Sequence, residues 1–149
     1  MYGKGELKEL KKEFWEGFDL FCNNHPVLGR RKHKFMLYDT KIKGVELKFD
    51  VGRNGAFVIL ELNHSNEYER FDKYEKLEQY KVVIEEEFPQ GLVWDFAFTR
   101  KTGSEVCRIY SQKGGIDIHR RSDWMQLYRF MGEEMLKMER AFLKVKEII

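Results

Sequence analysis

Cysteine is scarce in this chain: 149 residues hold only Cys22 and Cys107, far apart, with no CxxC and no paired Cys/His spacing. That excludes a disulfide framework and a zinc module, and leaves both thiols to be read as small buried side chains. Long apolar runs are also missing. No stretch approaches the roughly 18 apolar residues of a membrane span, and the opening MYGKGELKELKKEF lacks the apolar segment of a secretory signal. The expectation is a soluble, cytoplasmic protein with no membrane partner. Nor is there an excess of charge of one sign, since 27 Lys and Arg face 25 Asp and Glu. No global field dictates a nucleic-acid partner, so any such argument rests on local patches. The chain has no Gly-rich phosphate loop, no HExxH, no nucleophile elbow and no Ser/His/Asp arrangement, which disfavours nucleotide-dependent enzymes, proteases and hydrolases of those kinds.

What is present is enough for a core: 42% of residues are hydrophobic and 15% aromatic, so residues 1–149 are read as a single domain. Leu7, Leu10, Phe14, Phe18 and Phe21 recur at steps of three and four, the signature of a helix. It is expected to end before Pro26, whose ring disfavours helical geometry at the preceding residue. Three strand candidates follow: Phe35 to Thr40, Val45 to Val51 and Ala56 to Asn63. The second alternates apolar with polar residues, giving one wet face. The third, AFVILEL, is nearly all apolar, as a central strand would be, and Glu61 is the exception within it.

Asn66 with Glu69 three residues on resembles a capping box, and Phe71, Tyr74, Leu77, Ile84 and Phe88 continue a helical stripe to Pro89. LVWDFAFT and EVCRIYS read as a hairpin through Arg100–Gly103, the Ile116–Ile118 segment as an extension of the sheet, and the chain from Ser122 or Asp123 to the C-terminus as a final helix with Trp124, Leu127, Met131, Met135, Met138, Phe142 and Val145 on its buried stripe. The fold class is therefore α+β in the order αβββαββα, with a central mixed or antiparallel sheet flanked by helices.

Asp50 and Glu61 are the candidate site. If Asn54-Gly55 makes a type I′ turn, closure on Arg53 and Ala56 seats Lys48 opposite Glu61, whereas closure on Val51 and Ala56, with a longer loop, seats Glu46 there. Period-two alternation puts Asp50 and Glu61 on one face in either register. In the tighter register they are diagonal neighbours that could hold Mg2+ or Mn2+. The competing reading is structural: Asp50 precedes a turn and Glu61 pairs with Lys48. Arg30, Arg31, Lys32 and Lys34 form a basic connector that could neutralise the phosphates of DNA or RNA, or simply be a solvated loop. His64 is read first as a cap or core residue, and the Met131, Met135, Met138 stripe as core rather than a plastic binding surface.

Two resemblances attach to these residues. The strings LYDTKIKGVELKFDVGRNGAFVILELNH, EFWEGF, ERFDKYEKLE, GLVWDFAF, EVCRIYS and GIDIHRRSDW resemble the uncharacterised bacterial family called domain of unknown function 4268, across almost the whole chain. More remotely, the order αβββαβ is similar to the core of PD-(D/E)XK nucleases, the restriction-endonuclease-like fold. That second resemblance implies a metal-dependent nuclease in which Asp50 and Glu61 hold the metal. It puts Asn63 where the motif has its lysine, Lys48 as a stand-in on the same face, and Glu13 or Glu16 as a helix-borne acid. Two functions are thus expected: a nuclease-like domain, catalytically degenerate at Asn63 and associated with nucleic-acid metabolism or defence, or a non-catalytic module that binds a protein partner or a second copy of itself.

Overall fold

A computed structural model describes residues 3–31, 34, 35 and 39–149. Helix α1 spans Lys4–Asn24 and stops where expected, with His25 extended ahead of Pro26. Its Leu10, Phe14 and Phe18 are buried. The sheet consists of β1 (Val45–Gly52), β2 (Gly55–Leu62), β3 (Val93–Thr99) and β4 (Glu105–Lys113), in the spatial order β1-β2-β4-β3. Every neighbouring pair is antiparallel. Since β2 and β3 are both antiparallel to β4, they run parallel to each other, and the segment joining them crosses over the intervening strand.

That crossover differs from the single long helix read in the sequence. Helix α2 (Glu67–Gln79) is capped as predicted, Asn66 accepting the Glu69 N–H, but it ends at Tyr80. A short α3 (Lys81–Ile84) and a 3-10 turn (Glu85–Glu87) complete the path to Pro89. The break precedes the run Val82-Val83-Ile84, whose branched side chains are poor helix formers and which makes only the four-residue α3. Leu77 and Ile84, on either side of it, are both buried in the core. Helix α4 (Trp124–Val145) buries the predicted stripe from Leu127 to Val145.

Of the expected strand Phe35–Thr40, residues 36–38 lie outside those described, and Phe35, Asp39 and Thr40 are not in a strand. The Ile116–Ile118 segment does not extend the sheet. It plugs the core with two buried isoleucines, and the Ile118 N–H donates to the Gly52 carbonyl. The architecture is α+β: a four-stranded antiparallel sheet with α1, α2 and α4 on one face.

Alternation defines that face. Phe49 of β1 packs against Phe18 and Trp15 of α1, Trp94 of β3 against Tyr74 of α2, and Val58, Leu60, Leu62 and Ile109 join the α4 methionines in one core. The opposite face carries Glu46, Lys48 and Asp50, then Phe57, Ile59 and Glu61, then Arg108, Tyr110 and Gln112.

Candidate functional site

The β1–β2 register decides which residues of the candidate site meet. Val51 pairs with Ala56 and Glu46 with Glu61. Pairing continues to Gly52 and Gly55, which leaves a two-residue loop, Arg53-Asn54. The turn is not type I′, because that turn needs positive φ at both loop residues and Lys41 is the only described non-glycine residue with positive φ. Gly55 takes the strained geometry instead, at φ +128. A side chain there would also run into the Lys113 carbonyl.

In this register Asp50 lies opposite Phe57, four positions along β1 from Glu46. The two carboxylates share a face but stand about 13 Å apart along the strand direction. They are not the diagonal neighbours of the tighter register, and a cation bridging them does not fit. Among the described residues, no group of three or more His, Cys, Asp or Glu side chains is gathered to hold a metal ion.

Glu61 is instead enclosed by cations. Its side chain is 0% exposed. Oε1 accepts from Arg108 Nε at 3.0 Å. Oε2 accepts from Lys48 Nζ at 2.9 Å, from Asn63 Nδ2 at 3.1 Å and from Arg100 Nη2. Lys48 reaches Glu61 from two positions along β1 and also pairs with Glu46 at 3.3 Å. Arg108 stands directly opposite Glu61 on β4 and lies over the Phe98 ring, 4.0 Å from its centre. Burial on its own would raise the Glu61 pKa, but donation from Arg100, Lys48 and Asn63 more than offsets it and holds the carboxyl down at about 2. Asn63, in the position where the nuclease motif has lysine, is a donor to this carboxylate.

The remaining candidates are dispersed. Glu13 pairs with Arg121 at 2.7 Å and Glu16 is exposed. Helix α1 packs on the face of the sheet opposite Glu61, so neither joins its cluster. Within the basic connector, Arg31 makes a two-pronged pair with Glu139 of α4, one prong at 2.7 Å, and stacks over Phe35. Lys34 pairs with Asp19 at 2.5 Å. Arg30 is exposed, and Lys32 lies outside the described residues. His64 Nδ1 faces Glu69 at 3.3 Å, on a side chain only 8% exposed, and desolvation lowers its pKa. The thiol of Cys107 is buried and that of Cys22 half-buried, and desolvation pushes both up to about 11, which keeps them protonated at neutral pH.

Sequence reasoning missed three arginines. Arg108 carried a signal, a charge inside the apolar strand EVCRIYS that matches the charge inside AFVILEL. Arg70, which is buried, stands four residues before Tyr74 on the same helical stripe. Arg100 sits at a hairpin end where nothing local marks it.

A family model described as "Domain of unknown function (DUF4268)" matches residues 10–146. The chain belongs to that family. No curated protein and no solved structure matches it. In this DUF4268 domain no described helix is long and apolar enough to cross a membrane. Its candidate site is an ion cluster in which Glu61 has three cationic partners and an amide.

Proposed function

We propose that this DUF4268 domain is a non-catalytic binding module whose partner is another protein. One observation carries the reading. The carboxylate that would anchor a nuclease centre, Glu61, is enclosed and bonded by Lys48, Arg100, Arg108 and Asn63, while Asp50 stands exposed four strand positions from its level.

A nuclease reading rests on the predicted order αβββαβ, and only two of its first three strands stand among the described residues; activity would also require the cluster to surrender Glu61 to a metal. That exchange is unfavourable, because a buried carboxylate with charged donors on both oxygens would lose them all at once. A nucleic-acid partner is disfavoured by the connector, where Arg31 and Lys34 are already neutralised by Glu139 and Asp19. Binding to phosphate backbones depends on uncommitted cations.

The test is an incubation of the purified domain with supercoiled DNA, single-stranded DNA and RNA in the presence of Mg2+ or Mn2+, beside Glu61→Gln. The reading predicts no cleavage by either protein. Cleavage by the wild type that Glu61→Gln abolishes would overturn it and restore the nuclease.

A further inference from the structure

A cleft of about 460 Å3 opens where the end of β2, the start of α2 and the β3–β4 hairpin meet, beside the Glu61 cluster. Arg70, Arg100, Asn63, His64, Ser65 and Ser104 line it. Arg70 is only 6% exposed. Its Nη1 donates to the His64 carbonyl at 2.9 Å, while its buried Nε has no hydrogen-bond partner. An orphaned donor on a buried cation costs about 1–3 kcal/mol or more, and such a group calls for a water or an ionic ligand close by. The second guanidinium, Arg100, is fixed at the cleft by its bond to Glu61. The N-terminus of α2, a helix of 13 residues, opens at the same place: Asn66 takes the Glu69 N–H, and the first-turn N–H groups of Glu67 and Tyr68 have no intrahelical acceptor.

We propose that this cleft binds a carboxylate group of the partner protein, held between Arg70 and Arg100 at the start of α2. The proposal deepens the binding-module reading and rests on it. Two guanidinium groups and a helix N-terminus favour an oxyanion. Glu67 and Glu105, both exposed among the lining residues, offset part of that charge, so a singly charged carboxylate is favoured over a phosphate dianion. Glu61 then has a function of its own as a positioning residue: its bond to Arg100 Nη2 holds that guanidinium beside the cleft.

The experiment is an NMR titration of the full chain with sodium acetate, at ionic strength held constant with sodium chloride. It follows the Arg70 and Arg100 Nε–H signals and the Glu67 and Tyr68 amides. Saturable shifts with acetate that chloride alone does not produce are expected. Arg100→Gln is expected to weaken acetate by about tenfold, the loss of one charge-assisted bond. Glu105→Gln, which removes a rim carboxylate, is expected to tighten it by about threefold. An acidic peptide with an amidated C-terminus should compete for the same signals. Shifts that chloride reproduces, or acetate affinities unchanged in both variants, would overturn the site, and tighter binding of inorganic phosphate than of acetate would overturn the choice of carboxylate. Metal-dependent cleavage would remove the binding-module reading without altering the acetate titration, so the two failures are distinguishable.

Discussion

Glu46 lies directly opposite Glu61 across the β1–β2 ladder, and Lys48, two positions along β1, bonds to both carboxylates. A two-residue shift of register separates this arrangement from a metal-binding pair. Had Lys48 stood opposite Glu61, Asp50 would have been its diagonal neighbour. With Glu46 in that place, Asp50 is carried beyond reach and Glu61 becomes the centre of an ion cluster.

Removing the centre of the cluster leaves three cations without their shared partner. Glu61→Gln is therefore expected to destabilise the fold by about 3 kcal/mol, the range for breaking a buried pair. Lys48→Met is expected to cost about 1 kcal/mol or less, because its side chain is 31% exposed and Arg100 and Arg108 remain. Urea denaturation of the three proteins checks the ranking, and a larger loss for Lys48→Met would contradict it.

The depressed Glu61 pKa fixes the sign of a pH effect. A carboxyl held at about 2 in the folded chain and near its ordinary value of about 4.3 when unfolded contributes stability that is complete above the unfolded value. The contribution is lost as pH falls through the folded one. The stability gap between wild type and Glu61→Gln is thus expected to be constant from pH 7 to about 5 and to shrink toward pH 2. A gap that widens on acidification would mean that Glu61 is protonated at neutral pH.

Arg31 and Glu139 form the second buried pair, with side chains 17% and 8% exposed. Burial raises the Glu139 pKa while Arg31 pulls it back, so its proton is bound more readily in the folded chain than in the unfolded one. Its contribution therefore grows as pH falls, opposite in sign to that of Glu61. Arg31→Met or Glu139→Leu alone is expected to cost about 3 kcal/mol, and the double replacement to recover most of it. A double-mutant cycle in urea measures this, and additive losses would show that the two side chains act independently.

The connector predicts weak electrostatics toward nucleic acid. Replacing Arg30, Arg31, Lys32 and Lys34 by alanine would flatten the salt dependence of any DNA binding if all four met phosphates. With Arg31 and Lys34 engaged by Glu139 and Asp19, the wild-type slope of log affinity against log salt is expected to stay shallower than about 2. Fluorescence anisotropy with single-stranded DNA across a salt series reads it, and a slope near 3, as four phosphate contacts would give, would return the connector to the phosphate-binding role.

Local periodicity carried much of the fold. The stripes of α1 and α4, the β1–β2 hairpin, the Asn66 cap and the β3–β4 hairpin all stand where spacing placed them, because each depends on contacts close in sequence. The break at Tyr80 was less legible: the apolar stripe runs on through it, and only the branched residues after it mark the change. The candidate site was half legible. Alternation makes Lys48 and Glu61 partners and is compatible with two registers, but nothing in the strand chooses between them. Gly52 and Gly55, which extend the ladder to a two-residue loop, settle it. Arg100, in the β3–β4 connection, and Arg108, in β4, lie more than thirty residues downstream, and only the pairing of β4 with β2 brings them to Glu61.

Calorimetric titration of the wild-type domain with Mn2+ at pH 7 tests the central claim most directly. If Glu61 is committed to Lys48, Arg100, Arg108 and Asn63, with Asp50 out of reach, no specific heat of binding is expected, and Asp50→Ala and Glu61→Ala should give the same flat isotherm. Stoichiometric Mn2+ binding that both substitutions abolish would contradict the account and join the two carboxylates in one metal site.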